Sequence, residues 1–178
     1  AKPRNGRFPV VLLSHGLGGN VRGLNWLAAG LAAKGAVVIA VNHPNSSFRD
    51  MDMQAAFRHW TRVEDLQSAL AHLVQDGTFA PVVDLDRIYA AGFSYGGWTA
   101  LSMVGVRGKA QASAAYCKTA GARSSHCWDL EKAGIDLSAY DPKAWSASYK
   151  DNRVKAVAAI DPGLTWGLTR ADTADVDQ

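Results

Sequence analysis

The sequence has no apolar run near the roughly 18 residues that a membrane-spanning helix needs. It has no block of one charge either. Its 19 Lys and Arg and 16 Asp and Glu are scattered, so the net charge of +3 does not gather into the basic stripe of a nucleic-acid-binding surface. No internal repeat or low-complexity segment is present. Ala1 stands in place of an initiator Met and no signal peptide follows it, as expected of a mature or trimmed product. Cysteine is down to Cys117 and Cys127, ten apart in the loop-like stretch CKTAGARSSHC. A zinc site would need four ligands at short spacings, which the neighbourhood of His126 does not provide. Two thiols in a short loop suit a disulfide, and with it a periplasmic or secreted protein.

What is present is ordinary globular material, 48% apolar and 20% charged over 178 residues, enough for the core of one domain. FPVVLLSHG (8–16), AVVIAVN (36–42), DRIYAAG (86–92) and VKAVAAID (154–161) read as strands. The continuous Val and Leu run of the first is what a parallel strand covered on both faces requires. Between them lie helical patterns. In 22–35, Leu24, Leu27, Ala28 and Leu31 recur at helical spacing and Gly35 ends the run. In 51–77, one long helix is expected with a stripe of Val63, Leu66, Leu70, Leu73 and Val74. A third helix runs from Tyr95 to about Val104. Residues 107–153 are polar and irregular, and are expected to form an insertion or cap-like segment of short helices within a single domain spanning 1–178. Strands alternating with helices predict an α/β fold with a mostly parallel sheet.

In such sheets ligands bind at the carboxyl ends of the strands. There the sequence places His15-Gly16-Leu17-Gly18, His43, Ser94 and Asp161, one group after each strand. Gly92-Phe93-Ser94-Tyr95-Gly96 fits G-x-S-x-G, the pattern of a sharp turn from strand to helix that presents a serine hydroxyl above the sheet. The bland alternative is a serine capping the helix that follows. If Ser94 is a nucleophile, the backbone N–H of Tyr95 is one oxyanion donor and that of Leu17 the other. A glycine-rich loop alone could hold phosphate, but GLGGNV lacks both the P-loop ending and the G-x-G-x-x-G spacing.

LLSHGLGGN, VIAVNHPNSS, AAGFSYGG and VKAVAAIDPGLTWGLT together resemble the α/β-hydrolase superfamily, and within it serine esterases of the dienelactone-hydrolase-like and platelet-activating-factor-acetylhydrolase-like kinds. The resemblance runs over roughly residues 8 to 168. It implies an α/β-hydrolase fold that is incomplete at both ends, and a triad in the order serine, acid, histidine. Asp161 is the implied acid, with an Asx turn before Pro162 as the alternative. Every histidine precedes Asp161. His15 is expected to be a structural hydrogen-bonder, His43 to shape the pocket, His59 and His72 to be ordinary helical residues, and His126 to be exposed. The base is therefore expected outside residues 1–178.

Phe93, Trp98 and Trp166 are candidates for the substrate pocket, with a core role equally open for Trp98. Asp172 and Asp175 read as solvated. The implied activity is cleavage of a small-molecule carboxylic ester through an acyl-enzyme on Ser94, with no metal or organic cofactor. A serine peptidase or amidase and a non-catalytic binding domain are the alternatives. The remaining part of the same polypeptide, as a separate chain, is the further partner expected.

Overall fold

The computed structural model describes residues 5–176. Its centre is a four-stranded, wholly parallel sheet of β1 (Phe8–Ser14), β2 (Val37–Ala40), β5 (Val83–Phe93) and β6 (Val154–Ile160), in the order β2-β1-β5-β6. Between β2 and β5 lies a small antiparallel ladder of β3 (Ser46–Ser47) and β4 (Asp50–Met51). Helix α1 (Asn25–Ala33) links β1 to β2, and α2 (Met53–Ala56) and α3 (Trp60–Leu73) lead into β5. Helix α4 (Tyr95–Met103) leaves β5, and α5 (Ala110–Ala120), α6 (Ser125–Lys132) and α7 (Pro142–Ser146) precede β6.

The alternation of side chains along β1 divides the core. Val10 and Leu12 point to one face, where Val63, Leu66 and Leu70 of α3 and Ala100 and Met103 of α4 pack on them. Val11 and Leu13 point to the other, against Leu24, Leu27, Ala28 and Leu31 of the α1 region. A sheet covered on both faces needs apolar residues at every strand position, which explains the unbroken run in β1. A third cluster joins Phe57, Tyr95 and Trp98 to Leu130, Leu137 and Trp145, and so seats the helical segment after α4 on the body of the domain.

The expected single helix over 51–77 is interrupted. Asp50 and Met51 pair with Ser46 and Ser47, and the Asp52 carboxylate then accepts from the Gln54 and Ala55 N–H groups to start the short α2. Phe57 and His59 follow, both buried, Phe57 stacked on Tyr95 at 5.7 Å between ring centroids and His59 bonded to the Trp145 carbonyl. The helix resumes at Trp60. Helical periodicity continues through the break, so the interruption comes from tertiary contacts alone.

Strand order reverses between β1 and β5. The chain leaves β1 toward β2 on one side and leaves β5 toward β6 on the other, so the loops above these two central strands part and open a crevice. Register places Ser14 opposite Gly92 and Phe93 opposite Ile160. The loop after β1, the turn after β5 and the start of the loop after β6 therefore stand side by side.

Candidate active site

Ser94 occupies the turn from β5 into α4 with φ 53° and ψ −118°, a conformation that an L-residue holds only when its surroundings impose it. Its N–H donates to the Ile160 carbonyl at 2.9 Å, and its own carbonyl accepts from Gly163 and Trp98, each at 3.1 Å. The flanking glycines are required by contact. A Cβ on Gly92 would sit 2.2 Å from the Gly96 carbonyl oxygen, and one on Gly96 would sit 2.0 Å from that of Ser14. The Ser94 side chain makes no capping bond to α4. It faces a cleft shared with Leu17, Tyr95, Met53, Leu164 and Trp166.

The loop after β1 reaches the same cleft. Gly16 lies so near the turn that its Cβ would meet the Ser94 Cβ at 3.3 Å. Gly18 adopts φ 69° and donates its N–H to the Ser46 carbonyl at 2.9 Å, and Gly19 donates to the Gly16 carbonyl at 3.0 Å. Leu17 is thus held from both sides. Among the described residues, neither the Leu17 nor the Tyr95 N–H has a backbone or side-chain acceptor. Tyr95 is the first residue of α4, where unpaired N–H groups and the positive end of the helix dipole favour negative charge.

Beneath this loop lies a buried polar network. The Ser14 hydroxyl is 2.9 Å from His43 Nε2, and His43 Nδ1 is 2.8 Å from Asp65 Oδ2. Arg62 donates through Nη2 to Ser14 Oγ and the His15 carbonyl, through Nη1 to Ser46 Oγ, and through Nε to Thr99 Oγ1. With the guanidinium donating to Ser14, that hydroxyl donates onward to His43 Nε2, and His43 Nδ1–H donates to Asp65. Burial drives the His43 pKa down to about 4 against the pull of Asp65, with the charge of Arg62 adding to the fall, so the ring is neutral at pH 7. Burial also lowers His15, whose Nδ1 lies 2.7 Å from the Gly16 carbonyl. Ser14, His43 and Asp65 have the hydrogen-bond connectivity of a hydrolytic triad, but Ser14 and His43 are both 0% exposed and no substrate reaches them.

The family model of the alpha/beta hydrolases matches residues 10–176. The chain belongs to the alpha/beta hydrolase family. Among solved structures it is similar to a ferulic acid esterase from Streptomyces cinnamoneus, at 30% identity and a TM-score of 0.50, over 57% of this chain and 34% of that one. It is also similar to Thermogutta terrifontis esterase 2 with propionate bound, at 22% identity and a TM-score of 0.44, over 59% of this chain and 39% of that one. A Pyrococcus horikoshii acylaminoacyl peptidase matches at 20% identity and a TM-score of 0.43, over 56% of this chain and 17% of its own. The chain thus spans well under half the length of each of these structures. No curated protein sequence matches it.

Of the residues expected in the site of this alpha/beta hydrolase, Ser94, Leu17, Tyr95 and Trp166 come together at the cleft. Asp161 follows β6 beside the Ser94 backbone, exposed and with φ 46°, and its carboxylate has no hydrogen-bond partner among the described residues. Phe93 is 44% exposed. Trp98 does not line the cleft: it is fully buried in the cluster under the helical segment. His43 does not line it either, because its ring is used by Ser14 and Asp65 in the layer below. His59, expected to be an ordinary helical residue, is buried among the rings of Trp60, Trp98, Trp145 and Tyr149, and burial lowers its pKa to about 4. Asp172 and Asp175 are paired, with Lys109 at 2.8 Å and Arg107 at 2.6 Å.

Cys117 and Cys127 form a disulfide that ties α5 to α6. Beside Cys127, His126 and Asp129 line one wall of the Ser94 cleft, and His126 lies edge-on to Trp166, which stacks on Tyr116 at 4.8 Å. The sequence holds no local signal for this wall. Arg62 did leave one: it stands four and eight residues before Leu66 and Leu70, in line with the buried stripe of α3.

Proposed function

We propose that the protein hydrolyses a carboxylic ester through an acyl-enzyme on Ser94. The observation that carries this reading is the strained Ser94, free of any capping bond, at the sheet's reversal point and facing a cleft with Leu17 and Tyr95. The Ser94 hydroxyl attacks the ester carbonyl as a base removes its proton. The oxyanion is received by the N–H groups of Leu17 and Tyr95, and removing one such donor from a site of this kind costs roughly a hundredfold or more in turnover. The alcohol leaves with a proton from the base, and water then releases the acid and restores Ser94.

Asp161 is proposed as the acid that orients the base, from its place at the end of the strand paired to β5. The base is proposed to be a histidine outside residues 1–178, and the chain that supplies it is the expected partner. The disulfide supports an oxidising compartment, periplasmic or extracellular. No described helix is long and apolar enough to cross a membrane.

One observation favours a second choice of base: His126 lines the cleft with Ser94. The test uses the full polypeptide with p-nitrophenyl acetate and butyrate. Ser94→Ala is expected to abolish turnover; turnover unchanged in that variant would end the acyl-enzyme reading. His126→Ala is expected to retain turnover within several-fold. A loss on the order of a million-fold, as for a triad histidine elsewhere, would assign the proton transfer to His126.

A further inference from the structure

A guanidinium out of contact with water is costly unless a carboxylate pairs with it. Arg62 is 1% exposed, yet none of its hydrogen bonds goes to a carboxylate. The nearby Asp65 is bonded instead to His43. Arg62 gives its protons to hydroxyls and one carbonyl, and its carbon lies 4.7 Å from the centroid of the Tyr95 ring. Burial lowers its pKa to about 10, which leaves it charged at neutral pH.

Its acceptors belong to the two segments that carry the proposed oxyanion donors. Ser14 and His15 run directly into the Gly16-Leu17-Gly18 turn. Ser46, bonded through its hydroxyl to Nη1 at 2.5 Å, holds the other side of that turn through its carbonyl, which accepts from Gly18 N–H. Thr99, 3.1 Å from Nε, sits one turn into α4 and donates its own hydroxyl proton to the Tyr95 carbonyl at 3.0 Å. One planar group therefore spans from the Leu17 loop to the Tyr95 helix, with its donors in fixed relative directions.

We infer that Arg62 is the positioning residue of the oxyanion site: it sets the spacing between the Leu17 and Tyr95 N–H groups and places a fixed positive charge behind them. This rests on Ser94 being the nucleophile. An apolar side chain could fill the same volume without the cost of burying a cation. The charge has its use when negative charge develops on the substrate oxygen in a site that excludes water, where a preoriented cation acts far more strongly than it would in solvent. Lysine keeps the charge and loses the fork, and glutamine loses both.

The experiment compares wild type, Arg62→Lys, Arg62→Gln and Thr99→Val in the full polypeptide. A fluorophosphonate probe, taken to completion, counts competent Ser94 sites, so kcat is expressed per labelled site and unfolded protein drops out. The expected result is a fall in kcat of roughly a hundredfold for Arg62→Gln, with KM within about twofold. Arg62→Lys should recover about tenfold of that loss, and Thr99→Val should lower kcat several-fold by removing the hydroxyl that links Arg62 Nε to the Tyr95 carbonyl. A kcat per site equal to wild type in Arg62→Gln overturns the inference, whatever happens to its melting temperature. If Arg62→Gln does not fold, wild-type kcat per site in both Arg62→Lys and Thr99→Val overturns it equally. A wild-type protein that takes no label at Ser94 overturns the nucleophile reading and this inference with it.

Discussion

A methyl group added at Gly96 would lie 2.0 Å from the Ser14 carbonyl oxygen, and one added at Gly97 would lie 3.1 Å from that of Ile160. Both obstacles are backbone atoms of sheet strands, β1 and β6, which cannot swing aside as a side-chain tip can. The difference of about an ångström predicts a graded outcome. Gly96→Ala should lose more than about 3 kcal/mol or fail to fold, and Gly97→Ala should lose about 1 kcal/mol. Gly30, exposed inside α1 with no neighbour within 4 Å of an added Cβ, is the control. There alanine should add roughly 0.5–1 kcal/mol by lowering the entropy of the unfolded chain. Urea denaturation of the three variants reads the order directly, and equal losses at Gly96 and Gly30 would contradict the contact argument. At this scale Ser94 and its glycines were legible in the sequence because the constraint is local: a tight strand-to-helix turn leaves its mark within five residues. For Arg62 only its place on the buried stripe of α3 was legible; its partners were not, because they lie 16 to 48 residues away and only the folded sheet brings them to one guanidinium.

At the scale of elements, the four strands were readable from their apolar runs, α1 and α3 from helical spacing, and α4 from the G-x-S-x-G turn that leads into it. The break before α3 and the cleft wall on α6 were not, since both follow from what packs against them. That wall makes a separate prediction. The disulfide closes a loop with a sequence separation of 10, which in the chain-entropy account is worth about 2–3 kcal/mol. Replacing both Cys117 and Cys127 by serine should lower stability by that amount, read by chemical denaturation. The reaction centre stands on β5 and α4, whereas His126 and Asp129 stand on α6. Loosening α6 should therefore raise KM several-fold and leave kcat for a small activated ester nearly unchanged. A parallel collapse of kcat would mean that α6 helps to hold Ser94 itself or, through His126, takes its proton.

Across the whole molecule, neutral histidines sit in two separate interior layers. His43 lies under the oxyanion loop, faced by Arg62, His15 and Asp65, and His59 lies under the helical segment, faced by four aromatic rings. Burial holds each near a pKa of about 4, below the ordinary value of 6.5. The unfolded chain therefore binds protons between pH 6.5 and 4 that the folded chain refuses. Stability from these sites is fully present above pH 6.5, is lost progressively as pH falls, and stops falling near pH 4. The fall should amount to at most roughly 3 kcal/mol for each site, at up to about 1.4 kcal/mol per pH unit. Paired carboxylates such as Asp151, held below 3.8 mainly by its bond to Arg153, weaken only at more acid pH and so do not account for this window. His59→Phe keeps an aromatic ring in the cluster and removes one of the two titrating groups. Its denaturation midpoint should fall less steeply than that of wild type between pH 6.5 and 4, whatever its stability at pH 7. Parallel curves would show that His59 contributes nothing to the loss of stability in this window.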